Sequence, residues 1–163
     1  MGLALTAYPI GVERGYISRE KAGKRTLTTL EFFRDAPQSD APTGMAGHHG
    51  FYYHFLDSKA DNLYRTNELS TIDTALLMNG ALFASSHFDK EDPQEMKIPQ
   101  LAEKLYQAVE WDWRQREDGL ITHGWKPDRG VLPHAYEGYH EAMILYVLAL
   151  GSPTHPVRQE ALV

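Results

Sequence analysis

A chain of 163 residues with 42% hydrophobic and 23% charged content has the length of one domain and enough apolar surface for a real core, which excludes a largely disordered chain. With 16 Lys plus Arg against 22 Asp plus Glu, the net charge of −6 runs against nucleic-acid binding, where basic side chains neutralise phosphates. Zero Cys excludes disulfides, thiolate metal sites and Cys nucleophiles, and leaves the compartment open.

In chain order, Met1 to Ile10 is weakly apolar, with no basic start and no cleavage site, so no signal peptide is expected. An early helix is expected around Leu3 to Val12. Ser18 has the character of an N-cap for a helix running to about Phe33, with Leu27, Leu30 and Phe33 on one apolar face beside Thr26 and Thr29. Pro37, Pro42, Gly44 and Gly47 then break the chain. Gly50 to Leu56, GFYYHFL, fits either a short strand or an aromatic loop, and periodicity does not decide between them. Asp57 to Asn67 is polar and turn-like.

Ser70 to about Phe88 reads as a helix opened by Ser70-x-x-Asp73, which has capping-box spacing. From Ala75 to Ala84 nearly every residue is apolar, and a helix apolar all round is a buried one. Pro99 suits the first position of the next helix, whose stripe is Leu101, Leu105, Val109 and Trp113 with Ala102 and Tyr106 alongside. A Gly- and Pro-rich loop follows. The last helix is expected from about Tyr136 to Leu150, again apolar on all sides in its second half, and stopped by Gly151 and Pro153. No apolar run approaches the roughly 18 residues of a membrane span, so no membrane insertion is expected. Strand alternation is weak throughout. The expectation is an all-α fold with long irregular loops, its inner helices buried and its outer ones half exposed, as in a layered helical toroid.

Asp73 and Glu141 each open a helix whose continuation carries no charge. On a helix Glu141 lies one turn before Leu145 and two before Leu148, on the core side, with Glu137 one turn earlier. A carboxyl at the mouth of an apolar interior loses hydration and its pKa rises, which is what a general acid needs. Two such groups facing one cleft would suit glycosidic cleavage. The plainer alternative is that first-turn carboxylates simply stabilise the helix dipole. Glu68 either enters the cleft from its loop or is solvated. Asp112 projects within about 50° of the middle of the apolar stripe, where it pairs near the helix end or contacts ligand. Trp111 falls off that stripe and either stacks on a sugar or packs against a neighbouring helix. His48, His49 and His54 lack metal-ligand spacing, so no metal is expected. A Ser nucleophile lacks its GxSxG elbow, and no nucleotide motif is present.

The stretches ERGYISREKAGKRTLTTLEFF (13–33), GFYYHFLD (50–57), ELSTIDTALLMNGALFA (68–84), YQAVEWDW (106–113), HGWKPDRG (123–130) and YEGYHEAMILYVLALGSPTHP (136–156) carry a resemblance in their order and spacing. The chain resembles the glucoamylase-like glycoside hydrolases that include bacterial endo-β-1,2-glucanases and the matching domain of cyclic β-1,2-glucan synthases. The resemblance implies part of an (α/α)6 toroid, with residues 1–163 as one fragment of a longer domain. It implies inverting hydrolysis of a neutral β-glucan, β-1,2-linked, with no cofactor, and a chain too short for full activity. It makes Glu141 the general acid and brings Glu68 and Asp73 into the cleft. Tyr52, Tyr53, His54, Trp111, Asp112, Trp113, Trp125, Glu137 and Tyr139 would serve substrate binding. The implied partner is an oligo- or polysaccharide. A full toroid needs a chain more than twice as long, so the catalytic base can belong to a later half. The second reading is a non-catalytic helical module that binds glycan weakly, with exposed helix faces favouring self-association.

Overall fold

The computed structural model describes residues 1–56 and 67–159, and the chain divides into two compact units. Of the polar stretch expected at Asp57 to Asn67, only Asn67 lies among the described residues.

The first unit, Met1–Asp35 with Leu76–Tyr106, is helical. It holds α1 (Gly2–Glu13), α2 (Arg19–Asp35), most of α3 (Thr71–His87) and α4 (Lys97–Gln107). Ser18 caps α2 as expected: its Oγ accepts from the Lys21 N–H at 3.3 Å. Ala22, Thr26, Leu27, Leu30 and Phe33 form the buried face of that helix. Helices α1 and α3 meet backbone to backbone. A Cβ on Gly80 would stand 2.2 Å from the Gly2 carbonyl oxygen, so only glycine permits this crossing. Arg19 closes the unit with Nε and Nη2 each 2.8 Å from the Glu95 carboxylate.

The second unit, Ala36–Ala75 with Gln107–Val163, overturns the all-α expectation. Its centre is a five-stranded antiparallel sheet in the order β1 (Gly47–His48), β2 (Phe51–Tyr53), β3 (Leu69–Ser70), β4 (Gly124–Lys126), β5 (Gly130–Val131). Helix accounts for 47% of the structure. Each strand is two or three residues long, too short for alternation to show, and three of the five begin with glycine. GFYYHFL therefore resolves as strand over Phe51–Tyr53. His49 and Gly50, at φ 51 and 79, make a two-residue turn between β1 and β2 of the kind that matches strand twist.

Three helical expectations also change. Proline 99 is the third residue of α4, not the first. That helix stops at Gln107, so Val109 and Trp113 lie beyond it, and Trp111–Arg114 form a separate 3-10 turn. The Glu110 N–H bonds the His49 carbonyl at 3.1 Å, which draws the chain onto the β1–β2 turn instead of continuing the helix. The last helix, α5, spans only Met143–Leu150. Gly138 upstream has φ 79, which no helix interior accepts. The apolar helix α3 is buried along most of its length, yet Phe83 is 43% exposed, so it is not covered on every side.

Candidate active site

The first turn of α3 is built around Asp73. Its N–H donates to Ser70 Oγ at 3.2 Å, and the Ser70 hydroxyl returns to Asp73 Oδ2 at 2.6 Å. The same carboxylate oxygen pairs with His54 Nδ1. The capping box expected from the spacing is present in a shortened form, because Asp reaches the capping hydroxyl and not the backbone N–H beyond it. Sheet pairing brings His54 to this point: its N–H bonds the Glu68 carbonyl at 2.9 Å. Glu68 leans across β4, with its Cγ 3.6 Å from where a Cβ on Gly124 would stand.

Two residues outside the expected set complete the group. Thr71 is fully buried, and its hydroxyl donates to the carbonyls of Thr122 at 2.8 Å and His123 at 2.9 Å. The Tyr136 ring lies on His123 with centroids 4.2 Å apart and planes 32° from parallel. Burial pushes the Tyr136 phenol up to about 12, and the charges of Asp73, Glu141 and Glu68 push the same way. Acidic groups from two stretches of chain therefore act on one phenol. Burial, helped by His134 and His140 nearby, holds the His123 imidazole below its usual range. Tyr136 and His123 lie inside the stretches that carry the resemblance. Their sequence signal is only that of an aromatic residue beside a carboxylate, which many positions share.

Glu141 does not sit where helical geometry would put it. It lies in the turn before α5 and is exposed, so its side chain does not point into the core. Glu137 and Tyr139 on the same strip are exposed as well, Tyr139 by 92%.

The remaining aromatic candidates separate by burial. Trp111 is fully buried, its ring edge-on to Phe51 at 5.6 Å, so the exposed sugar platform weighed for it is corrected to core packing. Tyr52 and Tyr53 on β2 are buried, and burial raises both phenols above the usual range. Asp112, read on the edge of a helical stripe, is exposed on the 3-10 turn, with its Oδ1 3.7 Å from His155 Nδ1. Trp113 and Trp125 remain half exposed and form a second cluster with His48 and His49. Their centroids are 6.0 Å apart, and His49 lies 4.1 Å from Trp113 while its Nδ1 meets Glu110 Oε2 at 2.6 Å. The Arg114 guanidinium stands 3.4 Å over the Trp113 ring. Trp125 connects the clusters, since it pairs with Leu69 next to Glu68. Among the described residues no group of three or more His, Asp or Glu is disposed to hold a metal ion.

Comparison with known proteins bears out the family resemblance. Residues 133–163 match the Glycoamylase (glucoamylase) family model. Over 168 aligned residues the chain is 30% identical to the exo β-1,2-glucooligosaccharide sophorohydrolase (non-reducing end) of Parabacteroides distasonis, covering 98% of this chain and 22% of that protein. The endo-β-1,2-glucanase of Chitinophaga pinensis, solved with sophorotriose and glucose, superposes with TM-score 0.83 at 27% identity, over 98% of this chain and 37% of that one. The β-1,2-glucanase of Parabacteroides distasonis superposes with TM-score 0.85 at 28% identity, over 98% of this chain and 23% of that one. The chain thus spans about a fifth of the length of the curated relative it matches.

Proposed function

We propose that this chain, as a relative of the glucoamylase-like glycoside hydrolases, is a length of a larger domain that acts on a β-1,2-linked glucan by inverting acid–base hydrolysis. The observation that carries the reading is the cluster at the first turn of α3, where Asp73 is held by Ser70 and His54 and Glu68 stands beside it against Gly124. The relatives' named substrates support the glucan and its linkage.

The roles follow from the surroundings. Asp73 accepts hydrogen bonds from Ser70 and His54 on one oxygen, which holds the carboxylate in place to position water. Glu141 is exposed, so the chain alone does not strip it of water. In this reading Glu141 gives its proton to the leaving oxygen of the bound saccharide. Glu68 binds or positions from across Gly124. Trp113 and Trp125 offer half-exposed rings to a sugar face, with His54, Glu137 and Tyr139 at the rim. No cofactor enters the reaction.

The test is Glu141→Gln in the complete enzyme. Release of β-1,2-linked oligosaccharides should fall by at least about a hundredfold, the usual contribution of a general acid. Unchanged turnover removes Glu141 from that role.

The non-catalytic reading has an observation of its own. On α1, Leu3 is 75% exposed and Ile10 50%, with Ala7 exposed between them, which makes an apolar stripe at i, i+4 and i+7. A second copy of the chain can cover it. Sedimentation velocity should show a dimer for the chain and a monomer for Leu3→Lys with Ile10→Lys. A monomer for both ends that reading.

A further inference from the structure

We propose that Asp73 and His54 form an orienting pair: the carboxylate holds the imidazole with its hydrogen on Nδ1, and Nε2 stands out as the acceptor for a hydroxyl of a neutral saccharide. The pair rests on contact geometry, and only its ligand rests on the functional reading above.

The backbone under the imidazole is fixed on two sides. His54 directly follows β2, and its N–H bonds the Glu68 carbonyl at 2.9 Å. Asn67, 5% exposed, grips the next residue twice: its Oδ1 accepts the Phe55 N–H at 3.3 Å, and its Nδ2 donates to the Phe55 carbonyl at 2.6 Å. The Phe55 ring stands edge-on to the imidazole, with centroids 4.1 Å apart and planes at 85°.

The carboxylate is fixed from the helix side. Ser70, on β3, takes the Asp73 N–H on its Oγ at 3.2 Å and gives its one hydroxyl hydrogen to Asp73 Oδ2 at 2.6 Å. The same Oδ2 meets His54 Nδ1. A carboxylate oxygen only accepts, so the hydrogen between the two residues is the imidazole's. A neutral imidazole has one N–H, and placing it on Nδ1 leaves a lone pair on Nε2. Among the described residues Nε2 meets no partner. The His54 side chain is 39% exposed and that of Asp73 41%, so a ligand can reach the pair.

The chemistry of the ligand follows from what this turn presents. The carboxylates of Asp73 and Glu68 and the Nε2 lone pair are all acceptors. A ligand must therefore bring hydrogens, and an acidic sugar would also bring a like charge against two carboxylates. A neutral hydroxyl supplies the hydrogen without the charge, and a saccharide presents several. An exposed pair of no consequence leaves its imidazole free to turn, so the tautomer separates the two cases.

The test is long-range proton–nitrogen correlation NMR on the full chain with nitrogen-15 histidine, the His54 ring being assigned through its own backbone. At the alkaline plateau of a pH series, His54 should show a protonated Nδ1 and a bare Nε2. In Asp73→Ala, which lacks the partner that sets the tautomer, the two forms should mix. A bare Nδ1 in the wild type overturns the pair, however well the variant folds. Added sophorotriose should then move the His54 Nε2 resonance upfield, as a nitrogen moves on accepting a hydrogen bond, and leave Nδ1 in place. His54→Phe keeps a ring against Phe55 and removes both nitrogens, and affinity should fall about fivefold. An Nε2 that stays still while neighbouring amides respond overturns the acceptor role. If no resonance responds to sophorotriose, the glucan reading fails and the acceptor role with it, and the tautomer alone judges the pair.

Discussion

The acidic residues of this chain illustrate how differently one charge type is handled within a few turns of sequence. Asp73 has two donors on one oxygen, whereas Glu141 faces solvent. Arg114 is the opposite extreme: it is 4% exposed, its Nε and Nη1 find no partner among the described residues, and burial brings its pKa down to about 10. Its guanidinium stays charged at neutral pH and rests on the Trp113 ring, a contact that offsets only part of the lost hydration. Arg114→Met should therefore stabilise the chain by about 1 kcal/mol, read from the urea midpoint at constant slope. A loss of stability would mean that the stacked cation is worth more than its burial costs. The Ser70–Asp73 pair was legible because cap spacing is local. Glu141 was misplaced because the helix around it was read from apolar pattern alone. That pattern begins at Met143, and the residues before it spend their backbone bonds on Ile121 and Tyr146.

Among the elements, helices α1, α2 and α3 were legible, since caps and apolar spacing are properties of neighbouring residues. The sheet was not. Two-residue strands carry no period, and their pairing joins Tyr52 to Ser70 and Leu69 to Trp125 across long separations in sequence. The early end of α4 was hidden for the same reason, as its cause is a bond to the β1–β2 turn and no glycine or proline marks it. One tie at this level has a measurable pH signature. Glu95, 8% exposed, has its pKa lowered chiefly by the hydrogen bond from Arg19, which fastens the start of α2 to the turn before α4. A carboxylate with a depressed folded pKa contributes stability above its unfolded value and loses it as pH falls through the folded value. Glu95→Gln should cost about 1–3 kcal/mol at pH 7. The gap in melting temperature between wild type and variant should close as pH drops from about 5 towards 3. A gap that stays constant over that range would contradict the assignment.

For the whole molecule, composition excluded more than it identified. A net charge of −6 runs against a polyanionic partner, and the order of the matching stretches pointed to the resemblance before any coordinate did. The all-α expectation failed because it counted helices and passed over the short, often glycine-led strands that set Glu68 beside Gly124. The central claim is that saccharide binds over the Asp73 cluster and receives the Glu141 proton. The most direct measurement is a two-dimensional NMR titration of the labelled chain with a β-1,2-linked glucotriose, using a β-1,4-linked triose as the control. The account predicts saturable shifts confined to residues 54, 68–73, 123–125 and 136–141 with the β-1,2 ligand and none with the control. Shifts elsewhere, or none at millimolar ligand, would contradict it.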